Sequence, residues 1–99
     1  MTTESGILSA DYKVPGGKLL RVRLTLGGTA EPPMIQRICI TGDFFMHPEE
    51  AIEMLEALLT GVPFDEDAVR EQVQTFFESD VDVIGAGAED VVTAVMRAD

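Results

Sequence analysis

Cysteine, histidine, basic residues and long apolar runs are all scarce in this 99-residue sequence. Each scarcity removes a class of protein. The single cysteine, Cys39, rules out a disulfide framework and points to a reducing compartment. Its place inside Ile38-Cys39-Ile40 predicts a small buried hydrophobe. The single histidine, His47, has no second histidine or cysteine at zinc-ligand spacing. The acid pairs Asp65/Asp67 and Asp80/Asp82 lack the internal glycine and closing glutamate of a calcium loop, so no metal site is expected. No apolar stretch approaches the about 18 residues of a membrane span. The start, Met1-Thr2-Thr3-Glu4-Ser5, has neither the basic nor the hydrophobic part of a signal peptide. It reads as a natural start, with residues 1–6 flexible, on a cytoplasmic protein. Seven Lys and Arg against 18 Asp and Glu, without interleaved aromatics, argue against a nucleic-acid target. Gly16-Gly17-Lys18 lacks the leading glycine, the hydroxyl residue and the following helix of a phosphate loop. No poised nucleophile and base remain, so no catalytic residue is assigned.

What is present fits one domain, residues 7–99. A chain of this length buries roughly two-thirds of its unfolded surface, and it is too small for a typical self-contained ligase or kinase. The net charge of −11 is uneven. Residues 1–40 carry Lys13, Lys18, Arg21, Arg23 and Arg37 against Glu4, Asp11 and Glu31, a net of +2; residues 41–99 carry Arg70 and Arg97 against the remaining 15 acids, a net of −13. Two readings stay open: a solvated acidic helical layer, or a sheet half that offers a surface to an anionic partner.

The apolar pattern changes period once. Ile7 to Val14 is a candidate strand. Val14-Pro15-Gly16-Gly17 is a tight turn, with proline supplying a fixed φ and glycine suited to a positive one. From Lys18 to Leu26 the residues Leu20, Val22, Leu24 and Leu26 alternate with Arg21, Arg23 and Thr25, so one face is core and the other cationic. The prolines of Gly27–Pro33 mark a loop. Met34 to Thr41 is a strand that is partly apolar on both faces, which predicts a central strand or one covered by a partner. Gly42-Asp43-Phe44-Phe45-Met46-His47-Pro48 then turns into a first helix, expected over 48–60. Pro48 would be its first residue, Glu49 and Glu50 its acidic first turn, and Gly61 its terminator. The two phenylalanines would wedge between sheet and helix. Asp65 caps a second helix striped by Val69, Val73, Phe76 and Phe77. Val81, Val83 and Ile84 form a short extended or irregular apolar segment. After the Gly85-Ala86-Gly87 breaker, a third helix is expected over 88–98. Strands first and helices after predict a two-layer α+β domain: an antiparallel sheet of about three strands with three helices on one face.

Three local features are candidates for function. Lys13 and Lys18 flank the glycine turn, and with the backbone of Gly16 and Gly17 they form either a solvated hairpin or a cradle for a phosphate or carboxylate. Asp43 either closes its own turn or bonds across an interface. His47 either sits as a surface group at the helix start or touches a ligand or partner there.

Lys13-Val14-Pro15-Gly16-Gly17-Lys18-Leu19 together with Gly42-Asp43-Phe44-Phe45, Pro48 and Glu49 resemble the accessory domain of lipoate–protein ligases, in the form found as a separate small subunit. The similarity runs from about Tyr12 to Met96; beyond Leu59 it lies in the order of elements. The resemblance implies the accessory subunit of an ATP-dependent lipoate–protein ligase. With a separate catalytic subunit it would be needed for activation of lipoate to lipoyl-AMP, before transfer to a carrier-protein lysine. It implies a heterodimer, with ATP, Mg2+ and lipoate held by the catalytic subunit and none bound by this chain alone. It places Lys13, Gly16, Gly17 and Lys18 at the composite adenylate site or interface, and Gly42, Asp43, Phe44, Phe45 and His47 at the subunit interface. The catalytic lysine of the large domain has no counterpart in this sequence. The alternatives are a regulatory or binding module of another enzyme, and a structural homodimer paired through its sheet.

Overall fold

The computed structural model describes residues 7–16, 18–29, 31–42 and 45–99, with the backbone alone at Phe45 and Met46. Gly17, Asp43 and Phe44 lie outside the described residues, as do residues 1–6. The first three strands, β1 (Ile7–Lys13), β2 (Leu19–Gly27) and β3 (Met34–Gly42), form one antiparallel sheet in the order β1-β2-β3. Helices α1 (Ala51–Leu59), α2 (Glu66–Glu78) and α3 (Ala88–Met96) follow. The expected two-layer α+β architecture is therefore observed. A second ribbon, β4 (Phe45–His47) paired antiparallel with β5 (Asp82–Ile84), was not foreseen.

Alternation on β2 builds the core. Leu20, Val22 and Leu24 are buried while Arg21 and Arg23 are exposed. From the helices, Leu55 and Leu59 of α1, Val69, Val73 and Phe76 of α2, and Val91, Val92 and Val95 of α3 close over the inner face. Phe64 packs against this core from the α1–α2 link. Gly61 adopts φ 87° after α1, the left-handed residue that ends the helix. The Asp65 side chain accepts the Ala68 N–H at 3.1 Å, the expected cap of α2.

Three readings are narrowed or corrected, each for an identifiable reason. First, of the two readings of β3, the central position falls to β2. A register shift sets Thr25 opposite Arg37 but Leu26 opposite Ile35, so Gln36 is an extra, unopposed residue. The bulge puts Ile35 on the same face as Ile38 and Ile40, all three buried, and leaves Met34 exposed. The apparent two-sided apolarity of this strand is a parity reset. Second, Cys39 is exposed on the outer face, because it shares parity with Arg37 and not with the core isoleucines. Third, α1 starts at Ala51. His47 is held extended by pairing with Asp82, and the Ala51 N–H returns to the Pro48 carbonyl at 2.9 Å. Pro48 thus belongs to a turn, Glu50 is the N-cap residue, and the acid of the first turn is Glu53. The last helix also ends earlier than expected, at Met96.

The outward edge of β3 is blocked along much of its length. Ile35 exchanges backbone hydrogen bonds with Gly61 and Val62, at 2.7 and 2.9 Å. Farther along, the Ile40 N–H donates to Glu56 Oε2 of α1 at 2.9 Å. Two donors of an otherwise open row, those of Ile35 and Ile40, are satisfied by the chain's own loop and helix.

Candidate functional site

The turn between β1 and β2 is tightened by the Val14 N–H, which donates to the Lys18 carbonyl at 2.7 Å. Gly16 sits at its tip with φ 108°, a conformation a side chain disfavours. Lys13 and Lys18 leave the turn on its two sides, both exposed. Register then dictates what lies beside them. Tyr12 pairs with Leu20 and Leu20 with Gly42, so β3 ends at the same end of the sheet as the lysine turn.

The chain returns there a second time. Phe45 pairs with Ile84 and His47 with Asp82, and β5 runs directly into Gly85-Ala86-Gly87. That segment faces Pro15, Gly16 and Lys18 across an open cleft of about 380 Å3. Two stretches far apart in sequence, the glycine-lysine turn and the loop after β5, therefore meet at one end of the fold. Gly42 ends β3 at that same end and is exposed, whereas the exposed His47 lies at the other end of β4, opposite Asp82 and away from the cleft.

The far wall of the cleft is the start of α3, where Asp90 reaches back to the residue before the helix. Asp90 Oδ2 accepts the Gly87 N–H at 2.8 Å, and Asp90 Oδ1 accepts the Tyr12 hydroxyl at 3.5 Å. The Arg97 guanidinium lies over the Tyr12 ring, 5.1 Å from its centroid. This chain of contacts fixes the helix start against β1. It also places a carboxylate where a helix terminus would otherwise attract an anion, so the cationic contribution to the cleft comes from Lys18. From the sequence alone Gly85-Ala86-Gly87 reads only as a breaker. Two glycines before Glu89 and Asp90 were the one signal of a close approach.

Elsewhere, Arg70 joins α2 to α3 through Glu66 and Glu89, each at 2.8 Å, with Asp67 at 3.7 Å. Hydrogen bonds to Glu89 and then Glu66 push the Arg70 pKa above the ordinary arginine value. The same bond holds the Glu89 carboxyl below its usual range. These groups tie helices together at the surface. Among the described residues, no three His, Cys, Asp or Glu side chains are grouped to hold a metal ion. No helix among them is long and apolar enough to cross a membrane.

Comparison with known proteins agrees with this anatomy. The pattern of the bacterial lipoate protein ligase C-terminus family matches residues 23–92. That stretch includes Gly42–His47 but begins after the lysine turn. The chain is 34% identical over 87 residues to lipoate-protein ligase A subunit 2 of Thermoplasma acidophilum, covering 88% of this chain and 85% of that protein. Its fold superimposes with a TM-score of 0.77, at 32% identity, on a chain from the solved structure of an archaeal lipoylation system of Thermoplasma acidophilum, a bi-partite lipoate protein ligase and its E2 lipoyl domain. The superposition covers 90% of this chain and 93% of that one. By sequence and by fold, the chain belongs to the family of the bacterial lipoate protein ligase C-terminus.

Proposed function

We propose that this protein is the accessory subunit of a two-part lipoate–protein ligase: non-catalytic itself, and required by a separate catalytic subunit for making lipoyl-AMP from lipoate and ATP. The observation that carries this reading is the convergence of the lysine turn, the end of β3 at Gly42 and the Gly85–Gly87 loop at one end of a domain whose described residues assemble no catalytic set. Its subunit-length similarity to a protein named as a second ligase subunit supports the same reading.

The mechanism follows from what such an end can supply. Adenylation develops charge on the α-phosphate and releases pyrophosphate, and it requires oriented donors in a space that excludes water. The turn carrying Lys13, Gly16 and Lys18 contributes cationic and backbone donor groups at the rim of the partner's pocket. Gly42 and His47 contribute to the subunit contact. The chain thereby orders and closes the catalytic subunit's site. ATP, Mg2+ and lipoate are held by that subunit. Transfer to a carrier-protein lysine starts from an activated mixed anhydride and has less need of this help. An exposed, unbridged Cys39 suits a cytoplasmic setting.

The test is lipoyl-AMP formation by the catalytic subunit with and without this chain, alongside calorimetry of the chain alone with ATP and with lipoate. A large stimulation with no micromolar binding by the chain alone is expected. Tight ATP binding by the isolated chain, or no stimulation, would overturn the assignment.

A further inference from the structure

The helices cover only one face of the sheet. The other displays Ile7, Asp11 and Lys13 from β1, Arg21 and Arg23 from β2, and Arg37 and Cys39 from β3. We propose that this outer face docks a carboxylate-rich surface of the catalytic subunit, with Arg23 and Arg37 as its principal anchors. The inference rests on the accessory-subunit reading above and adds the surface that makes the contact.

Charge is the first argument. The face holds four cations, Lys13, Arg21, Arg23 and Arg37, against one carboxylate, Asp11, on a chain of net charge −11. Asp11 is taken by Arg21, at 3.0 Å. Arg23 and Arg37 form no ion pair among the described residues. Register makes them diagonal neighbours, since Arg23 opposes Cys39 and Thr25 opposes Arg37. Diagonal neighbours stand about 7–8 Å apart, and like charges so placed repel. A shallow groove of about 550 Å3 runs between them, bordered by Ser9, Thr25, Cys39 and an Ile7 that is 69% exposed. An unneutralised arginine pair beside exposed apolar surface is the profile of an interface anchor.

The occupant follows by elimination on the same grounds. A second copy stacked face to face would set arginine against arginine. A second copy presenting its acidic helices would make a head-to-tail contact that propagates into rings or filaments. Nucleic acid would meet the long-range repulsion of the remaining acids. A carboxylate-rich protein surface meets none of these objections. Area identifies which protein. A face of three strands is about 24 by 14 Å, or about 340 Å2, well short of the about 800 Å2 per partner of a stable complex. Lys13 belongs both to this face and to the lysine turn, so the face continues into the cleft end. One partner spanning both buries more than the face alone can offer, and in the reading above the partner at the cleft end is the catalytic subunit.

The experiment is a binding titration of the catalytic subunit with the full chain at low and at high NaCl, followed by its stimulation of lipoyl-AMP formation. Arg23→Glu with Arg37→Glu should raise the half-saturating concentration at least tenfold and flatten the salt dependence. Arg23→Lys with Arg37→Lys should recover most of it. Glu71→Lys, on the exposed side of α2, should leave it unchanged. Circular dichroism confirms that each variant folds. Wild-type binding that the double Glu variant preserves would overturn the inference and leave the accessory-subunit reading standing. Salt-sensitive self-association of the wild type, lost in the double variant, would assign the face to a second copy and likewise overturn it. Failure of the wild type to bind or stimulate would overturn both.

Discussion

Replacing Glu56 by alanine should destabilise the sheet edge from a helix that lies outside the sheet. Glu56 Oε2 accepts the Ile40 N–H at 2.9 Å, and Ile40 is only 3% exposed. A hydrogen bond to a charged group is worth about 1.5–3 kcal/mol, and a donor left unmade in a part-buried position forfeits that whole amount. Alanine's better helix propensity returns a few tenths of a kcal/mol. The net expectation is about 2 kcal/mol, or a fall in Tm of about 8–16 °C for a domain of this size. Charge must be separated from bonding, because removing any carboxylate from a chain of net −11 relieves repulsion. Glu56→Gln serves as the control: it removes the same charge but keeps an acceptor oxygen. It should cost about 1 kcal/mol or less. Urea denaturation of the wild type, E56A and E56Q gives the three stabilities, and amide exchange at Ile40 gives the local effect. Faster exchange at Ile40 in E56A, ahead of the rest of β3, is expected. Equal stability of E56A and E56Q would refute the reasoning, since the bond would then contribute nothing beyond its charge.

Lys18→Ala should alter stability by no more than about 0.5 kcal/mol, as an exposed truncation, yet lower lipoyl-AMP formation by about tenfold or more at saturating chain. Equal adenylation rates would remove Lys18 from the composite site. The pH dependence follows from Glu89. Its pKa in the folded chain is depressed, chiefly by the hydrogen bond from Arg70. The stabilisation is therefore present above the ordinary carboxyl value of 4.5 and is lost as pH falls through the lower folded value. Arg70→Ala should lessen the loss of stability on acidification, measured as Tm between pH 6 and about pH 3; an unchanged acid slope would contradict it.

Local chemistry was readable where one residue decides the outcome. The alternation of Leu20, Val22 and Leu24 against Arg21 and Arg23, the cap at Asp65 and the terminator at Gly61 all needed only their own neighbourhoods. The sequence misled where pairing decides. Nothing near Gln36 announces a bulge, yet that one residue moved Ile35 into the core and explains why Cys39 faces out. Pro48 and the two glutamates formed a convincing helix start. It was displaced because β4 pairs with β5, a strand from the other side of two helices. The site divides in the same way. The glycine turn and its lysines were visible as a motif, but their juxtaposition with Gly85–Gly87 and the end of β3 exists only through the fold.

The central claim is that this chain serves activation and not transfer, and one comparison tests it most directly. Lipoylation of the carrier protein is measured from lipoate and ATP and, separately, from preformed lipoyl-adenylate, each with and without this chain. The account predicts that the catalytic subunit alone uses the adenylate but makes it poorly, and that adding this chain restores the reaction from lipoate and ATP. Equal dependence on the chain from both starting points would contradict it.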